Sequence, residues 1–201
     1  MTLDGEGYPV RLRALDRPPA RLWVAGSVPE RCVAMVGSRR PDLGGLRAAR
    51  DIAAGLARAG LAIVSGGAVG IDAMAIGAAL EAGGRAVIVL GSGIDKPYPR
   101  ESVPLMLRAA ASGCVVSQFP PDADPFPGRF HLRNRVIAAL AEAVVVVRAG
   151  ARSGALSTAD HAFRLGRPVL AVPGSTSCES AVGSNALLRR GCRPAIDASD
   201  V

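Results

Sequence analysis

Short apolar runs alternate with longer amphipathic segments along most of this chain. Continuous apolar runs predict buried strands over residues 32–37, 61–66, 85–91, 113–119, 143–149 and 168–174. Segments with a helical period predict helices over residues 43–60, 71–82, 103–112, 133–143, 154–166 and 184–191. Strands that are apolar throughout and separated by helices are typical of a parallel sheet covered on both faces. The pattern therefore predicts a doubly wound α/β fold with a mostly parallel sheet.

The chain has 201 residues, and 49% of them are hydrophobic, which is enough for one well-packed domain. We predict that this domain covers residues 31–201. Residues 1–30 are expected to form an approach segment that packs on the sheet. The segment Phe119–His131 carries four prolines and predicts a loop. A loop of this length is often functional.

The net charge of the chain indicates which class of partner it could bind. The formal net charge is +7, and all of the 24 basic residues except Lys96 are arginine. The excess is spread along the chain rather than held in a tail. An ordinary hydrated surface rich in arginine would account for this excess of positive charge. The more specific interpretation is a polyanion partner such as nucleic acid.

Simple features exclude several other classes of protein. The longest apolar run, Val136–Val147, is shorter than the ~18 residues that span a bilayer, and it contains Glu142. The N-terminus lacks a basic region followed by an apolar core, so no signal peptide is predicted and the cytoplasm is the expected location. The four cysteines form no C-x-x-C pair and only two histidines are present, so no metal site is expected.

The candidate site lies in the loops after the strands, because ligands of open α/β sheets bind beyond the carboxyl ends of the strands. Those loops read GSRRPDLGG, SGGAVGID, GSGIDKPYP, RAGARSGAL and PGSTSCES. Glycines let backbone N–H groups approach an anion, helix N-termini add partial positive charge, and arginines bind phosphates bidentately. Together the loops predict a phosphate-binding edge, although a single glycine also fits ordinary turn geometry.

A basic helix start adds to this edge. The run GRFHLRNR has no acidic residue and holds Arg129, His131, Arg133 and Arg135. Asn134, between two of these arginines, is placed either to cap the helix or to contact a ligand. Asp72, near the start of its own helix, also fits a purely structural interaction with the helix dipole.

Catalysis has less support than binding. No serine in these loops has an obvious histidine partner, and the phosphate-binding motif of P-loop ATPases is absent. SGGAVG has Ser65 where a dinucleotide fingerprint needs its first glycine, while Asp95 follows the next strand where a ribose-binding acid would sit. A nucleotide-binding protein therefore stays open as the alternative.

Taken in order, these pieces resemble the DNA-processing protein A family (DprA/Smf), bacterial proteins of natural transformation. The resemblance spans about residues 8–192 and includes VAMVGSRRP, VSGGAVGIDAMA, SGCVVSQFPP, RNRVIAAL and AVVVVRAGARSGALSTADHAF. It implies an extended Rossmann-like fold that binds single-stranded DNA without strong sequence preference. It also implies protection of incoming strands, delivery to RecA for homologous recombination, and a homodimer. No cofactor and no enzymatic activity are implied.

The resemblance further implies which residues form the phosphate-binding pocket. All of them lie where strands end or helices begin: Ser38, Arg39, Arg40, Gly66, Gly67, Gly70, Asp72, Arg133, Asn134, Arg135, Ser153 and Gly154. Aromatic side chains for base stacking are scarce near this edge, and the candidates are Tyr98, Phe126 and Phe130. Binding is therefore expected to be dominated by the DNA backbone.

The chain departs from the family pattern at four positions. Ile76 stands where a histidine is usual, Gln118 and Arg148 stand where glutamates are usual, and His131 stands where proline is common. The two missing acids are expected to make the edge more positive. The chain resembles the family core, without the accessory helical and winged-helix domains of many members. Among related folds, phosphoribohydrolases acting on small nucleotides carry the motif PGGxGTxxE, which neither SGGAVGID nor PGSTSCES supplies.

Overall fold

One eight-stranded sheet forms the centre of the fold. The structure is a computed structural model that describes residues 1–201. The strands are β1 (Trp23–Gly26), β2 (Cys32–Gly37), β3 (Ala62–Ser65), β4 (Ala86–Val89), β5 (Cys114–Ser117), β6 (Ala143–Arg148), β7 (Val169–Ala171) and β8 (Arg193–Pro194). Their order across the sheet is β1-β5-β4-β3-β2-β6-β7-β8, and every pairing except β1 with β5 is parallel. The predicted doubly wound α/β fold is confirmed.

Six helices cover the two faces of this sheet. They are α1 (Leu43–Arg58), α2 (Ile71–Glu81), α3 (Val103–Ser112), α4 (Pro127–Leu140), α5 (Gly154–Arg164) and α6 (Val182–Arg189). Helices α1, α2 and α3 pack on one face, and α4, α5 and α6 pack on the other. Alternate strand residues serve the two layers: Ile88 faces α2 and α3, while Val87 and Val89 face the opposite layer. None of the helices has the length and apolar character that crossing a membrane requires.

Helix α4 differs from its prediction at both ends. The predicted helix covers residues 133–143, whereas α4 begins at Pro127 and ends at Leu140. Proline at a first helical position has a suitable φ and no amide hydrogen to lose, so the proline-rich run starts the helix instead of prolonging the loop. The chain is already extended at Ala141, and the Glu142 amide bonds to the Cys32 carbonyl at the entrance to β6. The residues at 129 and 131, predicted to lie in the loop, are therefore helical.

The first thirty residues enter the sheet as well as packing on it. Strand β1 pairs antiparallel with β5, with Trp23 opposite Ser117. Before it, a short 3₁₀ helix over Val10–Ala14 lies against α4, and Leu12 and Leu22 are buried in the main core. The boundary at residue 30 thus falls between two strands of the same sheet.

The direction of the chain reverses at β2. From β2 the chain proceeds outward through β3, β4 and β5, and then crosses back to place β6 on the other side of β2. The loops leaving β2 and β6 consequently diverge at their carboxyl ends. Such a switch point leaves a crevice, which is the usual ligand position in this class of fold.

Candidate nucleic-acid interface

A cavity of about 500 Å³ opens at the switch point between β2 and β6. Its walls come from the loop after β2, the region around the start of α2, the first half of α4, and the loop entering α5. A second cavity of about 370 Å³ adjoins it. Eight of the twelve predicted site residues line one or both: Ser38, Arg39, Gly66, Asp72, Arg133, Asn134, Ser153 and Gly154. The other four line neither: Arg40, Gly67, Gly70 and Arg135.

Arg133 ties together the elements around the cavity. It is only 6% exposed, and its Nη1 donates to the Gly66 carbonyl at 2.8 Å and to the Val89 carbonyl. Its Nε donates to Oδ1 of Asn134 at 3.3 Å. Burial lowers the pKa of Arg133 to about 10, although the nearby Asp72 charge acts in the opposite direction. Arg133 is therefore a cation at neutral pH, with much of its guanidinium engaged by the protein itself.

Asp72 is the carboxylate of the first cavity. Its Oδ2 accepts hydrogen bonds from the Gly66 amide at 3.1 Å and from the Ala68 amide at 3.4 Å. Burial raises the pKa of Asp72, and the attraction of Arg133 and the two amides offsets part of this effect. The side chain thus holds the glycine loop before α2 in place.

Gly66 allows the backbone to approach Arg133 closely. A Cβ atom at this position would lie 2.5 Å from Nη2 of Arg133 and 2.6 Å from Nη1. The guanidinium is held by two carbonyls and cannot give way freely. The glycine pattern in SGGAVGID therefore serves an arginine from α4 as well as leaving room for a ligand.

The start of α5 forms the opposite wall of the cavity. Ser153 is the N-cap, and its hydroxyl accepts a hydrogen bond from the Ala155 amide at 3.3 Å. The Nδ2 of Asn134 donates to the Gly154 carbonyl at 3.1 Å, which fixes this helix start against α4. Asn134 lies within α4, so it does not cap that helix. The positive end of the α5 dipole borders the cavity, which favours an anion there.

The loop after β2 provides an accessible cation. The Ser38 hydroxyl accepts the Arg40 amide at 3.0 Å, and the Ser38 carbonyl accepts the Ile71 amide at the start of α2. Arg39 is exposed, lines both cavities and makes no side-chain hydrogen bond within the chain. Its guanidinium is therefore free for an added anion.

The second cavity is partly aromatic. The rings of Tyr98 and Phe130 lie 5.6 Å apart and are tilted by 50°. Arg100 and Glu101 complete this side, and Phe130 also lines the first cavity. Two of the three aromatic candidates thus meet at the site, while Phe126 lies outside both cavities and is 62% exposed.

The four predicted residues outside the cavities have other surroundings. Gly70 has a φ of +86° and its added Cβ would meet the Ser38 carbonyl oxygen at 2.5 Å, so it shapes the turn into α2. Gly67 lies against Ile88, and Arg40 points to solvent. Arg135 bonds instead to Gln118 and to the Arg17 carbonyl.

Several cavity residues were absent from the predicted set. Arg152 and His131 are exposed at the rim of the first cavity, and Thr158 lies deeper, on α5. Arg152 directly precedes the Ser153 helix cap, a position that exposes a side chain beside the positive end of a helix. Thr158 has no such signal, because its place depends on how α5 packs against α4.

The departures from the family pattern lie mostly away from the cavity. Ile76 is fully buried among apolar residues of α2, α3 and β4. Arg148 adds no accessible cation to the edge. Arg148 is 5% exposed, its Nε lies 3.2 Å from Oδ1 of Asp42, and its Nη1 donates to the carbonyls of Val147 and Pro173. Its charge is neutralised inside the protein.

The site contains no cluster of three metal-ligating side chains, and the four cysteines are unpaired. The Ser153 hydroxyl serves the helix cap, and one Asp72 oxygen serves two amides. What the arrangement offers is a glycine-lined recess with a helix N-terminus and free arginines on its rim. That combination binds an anion.

Several proteins with similar sequences are named DNA processing protein A (DprA). The DprA sequence of Mycobacterium tuberculosis is 43% identical over 200 residues, covering 97% of this chain and 51% of that protein. DprA of Bacillus subtilis is 35% identical over 203 residues, covering 99% of this chain and 68% of that protein. This chain therefore spans about half the length of the Mycobacterium tuberculosis relative.

A solved structure agrees with the fold. DNA processing protein A from Streptococcus pneumoniae superposes with a TM-score of 0.94 at 33% identity, covering all of this chain and 72% of that one. The Helicobacter pylori protein, described with its single-stranded DNA binding mode, gives 0.86 at 31% identity over 96% of this chain and 88% of that one. A sequence model of one family matches residues 1–201. The chain belongs to the DNA recombination-mediator protein A family.

Proposed function

We propose that this chain binds single-stranded DNA through the cavity at the switch point. The observation that carries the proposal is the combination of a glycine-lined recess, the α5 N-terminus and two free arginines, Arg39 and Arg152, at one opening. A DNA backbone phosphate fits this chemistry. The described binding mode of the Helicobacter pylori relative supports single-stranded DNA as the ligand.

The second cavity suits a base of the same strand. Tyr98 and Phe130 offer the aromatic surface on which an unpaired base stacks, and Arg39 reaches both cavities. Stacking is tolerant of sequence, because every base has a π-face. We therefore propose a contact dominated by phosphate, with little base preference.

In this proposal the predicted site residues have two kinds of role. Arg39 contacts phosphate directly, together with Arg152, which was not among them. Arg133, Asn134 and Asp72 shape the recess through their hydrogen bonds to Gly66, Ala68 and Gly154. Arg135 and Arg40 are left for contacts outside the cavities.

The family description as a recombination mediator supports a wider role. We propose that the bound strand is protected and passed to RecA, as expected for DNA uptake in natural transformation, and that the chain acts as a homodimer. A mediator needs binding and release rather than bond cleavage, so the proposal is a binding module and not an enzyme.

The direct test measures dissociation constants for labelled oligo-dT and for duplex DNA over a series of salt concentrations. We expect single strands to bind more tightly and the affinity to fall steeply with salt, because phosphate contacts release counterions. Arg39→Ala and Arg152→Ala should each weaken binding roughly three- to tenfold with no change in fold, since neither side chain is held by the protein.

The matched control is Arg108→Ala. It removes an exposed arginine that lies outside both cavities, on the sheet face opposite to α4 and α5. It should leave the affinity unchanged. Equal affinity for duplex DNA, absence of salt dependence, or unchanged binding by both cavity variants would each contradict the proposal. Preferential binding of AMP or NAD in the same cavity would favour the small-nucleotide alternative.

A further inference from the structure

Arg135 lies outside the cavity and has only neutral partners. Its Nη2 donates to Oε1 of Gln118 at 2.8 Å, and its Nη1 donates to the Arg17 carbonyl. Its Nε is buried without a hydrogen-bond partner. No carboxylate forms an ion pair with this guanidinium. A half-buried cation with an unused donor and no counter-charge is costly unless an anion approaches from outside.

Other cations gather around it. Arg17 and Arg13 come from the N-terminal segment and Arg164 comes from the end of α5, and all three are exposed. The hydrogen bond from Arg135 to the Arg17 carbonyl places these two residues in contact. Burial raises the pKa of Tyr8 against the smaller, lowering effect of the Arg135 and Arg13 charges, and burial lowers the pKa of His161 together with the charges of Arg164 and Arg135, which agrees with a shared surface. We call the surface formed by Arg13, Arg17, Arg135 and Arg164 the α4 flank.

The α4 flank lacks internal compensation. Five exposed carboxylates lie in the same segments, and none of them forms an ion pair with an arginine: Asp4, Glu6, Asp16, Glu30 and Asp160. This contrasts with nearby Arg11, which lies 2.8 Å from the Glu142 carboxylate. Uncompensated arginines on one surface create a field that attracts a polyanion.

The α4 flank continues from the cavity. His131 is exposed at the cavity rim, and Arg135 follows it by four residues, one turn along the same helix face. Helix α5 starts at the cavity with Gly154 and ends at Arg164, which is roughly 15 Å further along the helix axis. A flexible chain that leaves the cavity beside α4 therefore meets the flank next.

We propose that the α4 flank binds the phosphates of the same DNA strand where it leaves the cavity. This inference rests on the proposed function, and it adds a second contact region that none of the cavity residues supplies. A strand of regularly spaced phosphates matches several separate arginines better than an acidic protein patch would, because the flank is continuous with a phosphate-binding recess.

The test compares two lengths of oligo-dT. A tetranucleotide fills only the cavities, whereas an oligonucleotide of about 20 nucleotides also reaches the flank. The double variant Arg13→Glu, Arg164→Glu changes two exposed side chains and should not affect folding. We expect it to lower the affinity for the long strand about tenfold and to leave the short strand unaffected. The double variant Arg58→Glu, Arg108→Glu on the opposite face is the control for net charge.

A second variant addresses Arg135 without removing it. Gln118→Glu keeps the side-chain shape and places a carboxylate 2.8 Å from the guanidinium. It should weaken long-strand binding about threefold and make the salt dependence shallower by roughly 0.7 in log-log slope, the value for one lost phosphate contact. Circular dichroism and thermal unfolding would confirm that the fold is retained.

The outcomes separate the two proposals. Loss of long-strand affinity in both variants, with normal short-strand binding, supports the flank. Unchanged long-strand affinity, or a loss equal to that of the control for net charge, overturns the flank but leaves the cavity proposal standing. If the unaltered chain binds neither length, the proposed function itself fails, and the flank with it.

Discussion

Two buried arginines at the carboxyl end of the sheet each have an aspartate nearby, but the two pairs are built differently. Arg148 contacts Asp42 directly, with Nε 3.2 Å from Oδ1. Both arginines donate to two backbone carbonyls, but Arg133 has no direct ion pair with Asp72. The pKa of Asp42 is lowered, first by its hydrogen bond from the Gly45 amide, whereas burial raises the pKa of Asp72.

In both aspartates burial raises the carboxyl pKa, while hydrogen bonds and a nearby arginine lower it. The Asp42 side chain is 37% exposed and remains hydrated while it caps α1. Asp72 is only 7% exposed, so its charge depends on two amides and on the field of Arg133. Arg148 and Asp42 therefore stabilise each other by direct contact. Arg133 and Asp72 interact only while the loop around Gly66, which both of them bind, keeps its position.

The largest expected effect is that of Arg133→Ala. The substitution leaves two buried carbonyls without their donor and Asp72 without its nearby cation, which should cost about 4 kcal/mol of unfolding free energy. Urea denaturation measures it. Arg39→Ala is the control and should change stability by less than about 0.5 kcal/mol. Equal stability of the two variants would show that Arg133 is a free ligand group instead.

Arg148→Ala should have a smaller effect, about 2 kcal/mol by the same measurement. The Val147 and Pro173 carbonyls would lose a donor, as the carbonyls at Arg133 would. The effect is smaller because Asp42 keeps its solvent contact and its bond from the Gly45 amide. Arg50→Ala, which breaks the exposed pair with Asp51, is the matched control and should cost less than about 0.5 kcal/mol. A loss for Arg148→Ala as large as that for Arg133→Ala would remove the proposed distinction.

The smallest effect concerns pH, and its sign differs between the two aspartates. Raising the folded pKa of Asp72 adds stability below about pH 4, and this is lost as pH rises through the folded value. Lowering the folded pKa of Asp42 adds stability above about pH 4, and this is lost as pH falls through the folded value.

Stability relative to the unaltered chain should therefore rise with pH for Asp72→Asn and fall with pH for Asp42→Asn. Thermal unfolding between about pH 3 and pH 7 would show the two trends. Parallel trends in the two variants would mean that the aspartates share one environment.

The sequence predicts the architecture well because its signals are local. Apolar strands, glycine stops and helical periods each act within a dozen residues, and α3 over Val103–Ser112 has its predicted bounds. The misplaced start of α4 has a local cause too, because proline is common in loops and also at the first position of a helix. The pairing of β1 with β5 joins segments far apart in sequence, and no pattern within either segment indicates it.

The candidate site is less predictable for the same reason. The position of the site follows from the strand order, and the glycine-rich loops after the strands indicate the same position. Whether an arginine faces the cavity depends on packing: Arg133 and Arg135 are two residues apart on α4, yet only Arg133 lines the cavity. Likewise, nothing in the sequence near Arg148 shows that Asp42, more than a hundred residues earlier, neutralises it.

Strand β1 has a consequence for how the chain folds during synthesis. Its partner spans Cys114–Ser117, so this pairing waits until the residues between the two strands have been made. Until then Leu12 and Leu22, which end up in the core, have no interior to enter. Closing so long a loop is slow, and the early apolar segment stays exposed to other chains meanwhile. A segment made early in this domain is thus sheltered only after its later partner strand has appeared.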